Sequence, residues 1–220
     1  MAMEYYTRLV PHQYTPTIRF YENVLLPLIT AQNANHYLPV IWTKLTLGRF
    51  DDGRKQVRLA FSIKVLRACV NAAEEDQAVR DSFVKICEDC LKDVQKDPMR
   101  GYFLNQNVYA SEICDLVIQM ALQEGRLELA KSSMKFCCEE DMPGLLPEST
   151  VESFVQAMVE AGQKEAGYKA VVYAAANGME RAESMGKTLG EAKNFQLEES
   201  EKYQLNSSFA HSMTWVALEC

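Results

Sequence analysis

The sequence predicts an all-α protein built as an α-solenoid, which is a stack of helical hairpins. Apolar residues recur at intervals of three and four along successive segments, and this is the period of an amphipathic helix. No segment alternates with period two over the length of a strand. Two stretches between residues 108 and 178 also match each other at a fixed spacing. The 220 residues, of which 48% are hydrophobic and 24% charged, are enough to bury a sizeable core.

The internal match is clearest where a helix is expected to end. The segment 122–130 aligns with 159–167 at an offset of 37 residues, which also pairs Val117 with Phe154 and Cys137 with Ala174. A self-similar period of roughly 20–50 residues is typical of stacked repeats, because one hairpin cannot bury its apolar face without neighbours. The clearest repeats are therefore predicted at residues 108–141 and 148–178.

Each repeat carries the signals of a helical hairpin. Gly125 and Gly162 stand where the first helix of each pair is expected to stop. Ala130 and Gly167 are small residues that would let the second helix approach the first closely. The first helices are expected to bury two apolar stripes, formed by Ile113, Leu116, Val117, Met120 and Ala121 and by Val151, Phe154, Val155, Met158 and Val159.

The second repeat is predicted to begin with a capping box after Pro147. Ser149 is followed three residues later by Glu152, and this spacing lets each side chain satisfy a backbone N–H of the first helical turn.

The remaining helices are predicted from the same periodicity. They span residues 17–34, 36–47, 54–73, 76–96 and 180–193, with a turn at 48–53 and a loop at 97–106. Pro27 should kink or split the first of them, whereas Pro39 stands in the first turn of the second, where proline is tolerated. Residues 1–193 are predicted to form one repeat domain, and the polar residues 194–220 a poorly ordered tail.

The charge of the chain is unevenly distributed. The net charge is −7, yet residues 44–67 contain seven basic and two acidic residues, and residues 105–141 contain three basic and seven acidic ones. Phosphate binding requires local positive charge, so any contact with RNA is expected in the earlier segment. Arg54, Lys55 and Arg58 share one face at a helix start, where cations oppose the helix dipole. They are either nucleic-acid contacts or a solvated cationic face.

Seven cysteines are present, and two pairs suggest chemistry. Cys87 and Cys90 form a CxxC motif, and Cys137 and Cys138 are adjacent. Either pair could belong to a zinc or redox site, but Cys87 and Cys90 align with apolar residues in the middle of a predicted helix, and no second CxxC or HxxxH accompanies them. We therefore interpret them as core residues. The odd count suits a reducing compartment.

No pattern in the sequence predicts an enzyme. Residues 186–188 resemble the end of a phosphate-binding loop, but Arg181 stands where that motif needs glycine. The three histidines have no catalytic spacing, so we expect no catalytic residue, metal, cofactor or small-molecule substrate. No apolar run is long enough to span a membrane, and the first residues lack a signal region or presequence. Either the protein stays where it is made, or this chain lacks its natural start.

The order of three short motifs resembles a known family. They are Trp42 within residues 38–44, the run 121–126 after an apolar helix, and the helix start at 147–151. The chain from about residue 3 to about residue 205 is similar to pentatricopeptide-repeat (PPR) proteins in degenerate form, and in particular to PPR proteins of the small subunit of the mitochondrial ribosome. The segment beyond residue 205 matches no pattern that we can place.

The resemblance implies a mitochondrial location and a role in mitochondrial translation. The implied partners are proteins of the small ribosomal subunit, with rRNA or mRNA also possible, since PPR repeats read single-stranded RNA. No base-reading position carries over, because these repeats depart from the family consensus. The short chain and the missing presequence also depart from the family, and they suggest a fragment or an isoform without its RNA-binding front. The alternative is a general TPR-like helical scaffold that binds partner proteins without RNA.

Overall fold

The computed structural model describes residues 18–47, 59–96, 108–139 and 145–191, and the structural statements below refer to these ranges. Within them the chain forms nine helices, and no strand occurs. The predicted all-α class is therefore confirmed. The chain divides into two compact units, Met1–Lys92 and Asp93–Cys220, which we call the N-terminal and C-terminal units.

The first helix, α1, is continuous from 18 to 31 but changes its hydrogen-bonding pattern. It consists of the segments Ile18–Phe20, Tyr21–Leu25 and Leu26–Ala31, and the middle segment is a π-helical turn that closes with a bond from the Leu26 N–H to the Tyr21 carbonyl. Pro27 follows directly, in the first turn of the last segment, where its missing N–H is tolerated. The helix was predicted to kink or split at Pro27; it is not split, and its hydrogen-bonding pattern changes in the turn directly before the proline.

The other helices of the N-terminal unit lie close to their predicted positions. A single 3₁₀ turn, Asn35–Tyr37, leads into α2, Leu38–Leu47; α3 spans Leu59–Val70 and α4 spans Gln77–Lys96. The α4 helix begins after Asp76, whose carboxylate accepts a hydrogen bond from the Ala78 N–H at 2.9 Å. Trp42 of α2 is buried and donates its indole N–H to Asp89 of α4 at 3.2 Å.

The C-terminal unit contains two antiparallel hairpins and a last helix. The first hairpin is α5, Val108–Gln123, with α6, Leu127–Glu139; the second is α7, Glu148–Glu160, with α8, Lys164–Ala176; and α9 spans Ala182–Glu191. The α7 helix packs against both α5 and α9, and α8 packs against both α6 and α9. First helices thus contact first helices, and second helices contact second helices.

The predicted glycine turns are confirmed at both hairpins. Gly125 and Gly162 adopt φ values of +63° and +69°, in the left-handed region that glycine tolerates. The next residue in each turn donates its N–H back to the carbonyl five residues earlier, from Arg126 to Ala121 at 2.7 Å and from Gln163 to Met158 at 2.8 Å. This is the Schellman arrangement that ends an α-helix.

The predicted capping box of the second repeat is wrong. The α7 helix begins at Glu148 with Pro147 as its N-cap, so Ser149 already lies inside the first turn and makes no capping bond. The Pro147 carbonyl accepts the Thr150 N–H at 3.0 Å. Glu152 instead pairs with Arg181 at 2.7 Å. The extended backbone of Pro147 places the helix start two residues earlier than the cap pattern requires.

The predicted apolar stripes form the core of the C-terminal unit. Nine of the ten stripe residues are buried, and Val159 is half-buried. Gly167 is also buried: a Cβ atom there would lie 3.0 Å from Leu189 Cδ1 of α9 and 3.5 Å from Met158 Cβ of α7. The predicted small residue therefore permits close packing, against α9 as well as α7. A polar contact joins the hairpins, since the Thr150 hydroxyl donates to Asp115 at 2.6 Å.

Candidate docking surfaces

The cations predicted to contact nucleic acid lie outside the described residues. Arg54, Lys55 and Arg58 fall in the gap between α2 and α3, so their role stays a prediction.

The CxxC pair lies in the core, as the apolar pattern of α4 predicts. Cys87 is 0% exposed and Cys90 is 2% exposed, in line with Phe83 and Leu91. Burial, with a smaller effect of the Glu88 charge, raises the pKa of Cys87 to about 12, so the side chain is a neutral thiol at physiological pH. Within the described ranges no cluster of three or more His, Cys, Asp or Glu side chains is placed to hold a metal ion.

The adjacent pair Cys137 and Cys138 is divided between core and surface. Cys137 is buried, and a hydrogen bond with Cys114 together with burial raises its pKa far above the usual value. Cys138 is half-buried, with its Sγ atom 3.9 Å from the Lys169 carbonyl oxygen. Only Cys138 of these three therefore reaches a surface groove.

That groove lies between the second helices of the two hairpins and has a volume of ≈ 210 Å³. Three lysines line it, Lys131 and Lys135 from α6 and Lys169 from α8. We call it the lysine groove. Lys131 and Lys135 are four residues apart and so share one helix face. The buried side chains of Met134 and Phe154 contribute apolar surface to its lining.

Lys131 and Lys169 of the lysine groove pair with glutamates. Lys131 pairs with Glu128 at 2.6 Å, and Lys169 pairs with Glu165 at 2.9 Å. The hydrogen bond and charge of Lys169 lower the pKa of Glu165, and the charge of Lys135 adds to this effect. Exposed ion pairs of this kind contribute little to stability. The lysines can therefore exchange a glutamate for the phosphate or carboxylate oxygens of a ligand at little cost.

Sequence reasoning missed the lysine groove because its cations come from separate segments. Lys131 and Lys135 lie in the region 105–141, whose balance is acidic, and Lys169 belongs to the next hairpin. Only the packing of α6 against α8 brings the three together. The spacing of Lys131 and Lys135 was the one signal available beforehand.

Residues 186–188, which resemble part of a phosphate-binding loop, lie inside α9. The Thr188 hydroxyl donates to the Ser184 carbonyl at 3.1 Å, one helical turn earlier. The segment therefore has helical geometry and offers no loop of backbone N–H groups, in agreement with the sequence interpretation.

The fold and these surfaces define the class of the molecule as an all-helical protein with tandem hairpins in its C-terminal unit. None of the described helices combines the length and apolar character needed to cross a membrane. No model of a known protein family matches the chain, and no curated protein matches it either.

Proposed function

We propose that this protein is a PPR-type component of the small subunit of the mitochondrial ribosome and supports mitochondrial translation. The proposal starts from the resemblance of three short motifs, at residues 38–44, 121–126 and 147–151, to the C-terminal part of pentatricopeptide repeat domain-containing protein 3. The observation that carries the proposal is the pair of consecutive hairpins. They are offset by 37 residues, end their first helices with the same glycine turn, and pack like helix against like helix. That arrangement is what an α-solenoid of degenerate repeats requires.

The lysine groove supplies this module with a surface for RNA. Lys131, Lys135 and Lys169 present ammonium groups to phosphate oxygens, which positions a nucleic acid without reading its sequence. Arg54, Lys55 and Arg58 remain the second proposed contact. The acidic balance of residues 105–141 suits basic ribosomal proteins as further partners.

A sedimentation experiment tests the proposal. The chain is expressed with an affinity tag and a mitochondrial leader, and mitochondrial lysate is separated on a sucrose gradient. The protein should sediment with the small ribosomal subunit and lose this association progressively as salt rises. A protein that remains at the top of the gradient at low salt would reject membership of the subunit.

Charge variants separate the two proposed RNA contacts. Replacing Lys131, Lys135 and Lys169 by glutamine should weaken RNA retention and lower the slope of log affinity against log salt. The slope should change by about 0.7 for each lysine that contacts single-stranded RNA. Replacing Arg54, Lys55 and Arg58 by glutamate tests the second proposed RNA contact. Lys85, Lys92 and Lys96 are exposed on α4, so replacing them by glutamine provides a matched control.

The alternative is a scaffold that binds partner proteins without RNA. The observation that favours it is charge, because two of the groove lysines are paired with glutamates and the whole chain carries −7. In that case the variant of Lys131, Lys135 and Lys169 still binds the partner proteins. No RNA is then recovered with the wild-type protein or with the variant.

A further inference from the structure

We propose that a cleft in the N-terminal unit binds an acidic peptide segment of a partner protein. The cleft has a volume of ≈ 580 Å³ and lies between α1 and α3. Its polar lining includes Asn35 from the turn before α2, and Lys64, Arg67 and Asn71 from α3 and its end. We call it the N-terminal cleft. Its volume falls within the range of small-molecule and peptide sites.

Asn35 is the first observation that indicates a ligand. The residue is 4% exposed, and its backbone carbonyl accepts the Leu38 N–H. Its side-chain amide has no hydrogen-bond partner in the part of the chain that the structure describes. A buried amide without a partner costs free energy, and most buried polar groups in proteins are satisfied. A ligand that offers both a donor and an acceptor would satisfy both ends of this amide.

Charge is the second observation. Lys64 and Arg67 are three residues apart on α3, so they share the face that lines the cleft. Lys64 pairs with Glu22 of α1 at 2.5 Å, and both side chains are partly exposed, at 47% and 23%. Among the described residues that line the cleft, the charged side chains are these two cations and the carboxylate of Glu22. A ligand carboxylate can replace Glu22 at Lys64, and a guanidinium such as Arg67 matches a carboxylate with two parallel hydrogen bonds.

The lining favours a peptide over a nucleic acid. None of the described side chains that line the cleft is aromatic, so it offers no surface for stacking a base. Leu26, Pro27 and Ala68 supply small apolar patches instead. A peptide backbone presents both N–H and C=O groups to Asn35 and Asn71, while an acidic side chain reaches Lys64 and Arg67. The two cations and the buried amide thus match two parts of one ligand.

Fluorescence anisotropy with a defined probe tests this proposal. The probe is a fluorescein-labelled octapeptide of alternating glutamate and alanine. The control is the same peptide with glutamine in place of glutamate. The glutamate peptide should bind about tenfold more tightly than the glutamine peptide, because charged hydrogen bonds are lost in the latter. Arg67→Gln should remove this preference, whereas Lys92→Gln, on the exposed face of α4, should leave it unchanged.

Asn35 provides a readout that a purely structural role would not give. Asn35→Leu removes the unpaired amide, so it should raise the melting temperature of the free protein while weakening the glutamate peptide about tenfold. Asn35→Ala serves the binding measurement if the leucine variant does not fold. The proposal would be overturned if the two peptides bound equally or if neither bound. It would also be overturned if the Asn35→Leu protein melted at a lower temperature than the wild type and still bound the glutamate peptide. Displacement of the peptide by a uridine oligonucleotide would assign the cleft to RNA instead.

Discussion

Phe154 is fully buried in α7, the helix that packs against α5 of the preceding hairpin. It is 0% exposed in the centre of the α7 stripe and also borders the lysine groove. Replacing Phe154 by alanine should lower the free energy of unfolding by about 3–5 kcal/mol, because it removes apolar contact and leaves a cavity. Chemical denaturation measures this loss. Val24→Ala is the control, since Val24 is 47% exposed. An unchanged midpoint for Phe154→Ala would contradict the assigned register.

The cysteines provide a second test at the scale of single residues, since chemical modification reports which thiols are buried. Burial raises the pKa of Cys87 to about 12, so at pH 8 nearly all of it is protonated and protected from alkylation. Cys138 is half-buried at the lysine groove. Iodoacetamide at pH 8 should therefore modify Cys138 well before Cys87, as measured by peptide mass spectrometry. Preferential modification of Cys87, or about one zinc per chain that is lost on Cys87→Ser, would contradict its assignment to the core.

Individual core positions were predictable, whereas partners across helices were not. The periodicity of the sequence identified the buried faces of α4, α5 and α7, because the helical period fixes which residues share a face. It gave no indication that Glu152 pairs with Arg181 or that the Asn35 amide is buried. Both facts depend on which helices meet, and that information is not local.

At the scale of single elements, the glycine turns determine where the first helices end. Gly162 has φ +69°, and a Cβ atom there would meet no other atom within 4 Å, so only its backbone conformation opposes substitution. Gly162→Ala should therefore cost about 1–2 kcal/mol. Gly190 is helical and also has open space around it. Gly190→Ala should instead stabilise the protein by up to about 1 kcal/mol.

Thermal denaturation of the two glycine variants checks this difference in sign. A Gly162→Ala protein as stable as the wild type would mean that α7 does not end in the left-handed turn. Helix ends set by glycine were predictable because few other residues adopt positive φ. The start of α7 was not predictable in this way, because Pro147 and Ser149 are both acceptable near a helix start, and the helix begins directly after Pro147.

At the scale of the whole molecule, the proposed binding surfaces are each built by several elements together. The lysine groove requires α6 and α8, and the N-terminal cleft requires α1 and α3. The all-α class followed from periodicity alone, whereas these surfaces follow from packing. Residues 44–67, the most basic segment of the sequence, were predicted to hold any contact with RNA, and this stays a prediction. Lys64 and Arg67 at the end of this segment line the N-terminal cleft.

The most direct test of the proposed function is a cryo-EM map of mitochondrial small ribosomal subunits purified through the tagged chain. The map should contain density for the two consecutive hairpins of the C-terminal unit. Lys131, Lys135 and Lys169 should face RNA phosphates there. Subunits that lack this density, or a docked chain whose lysine groove faces solvent with no RNA nearby, would contradict the proposal.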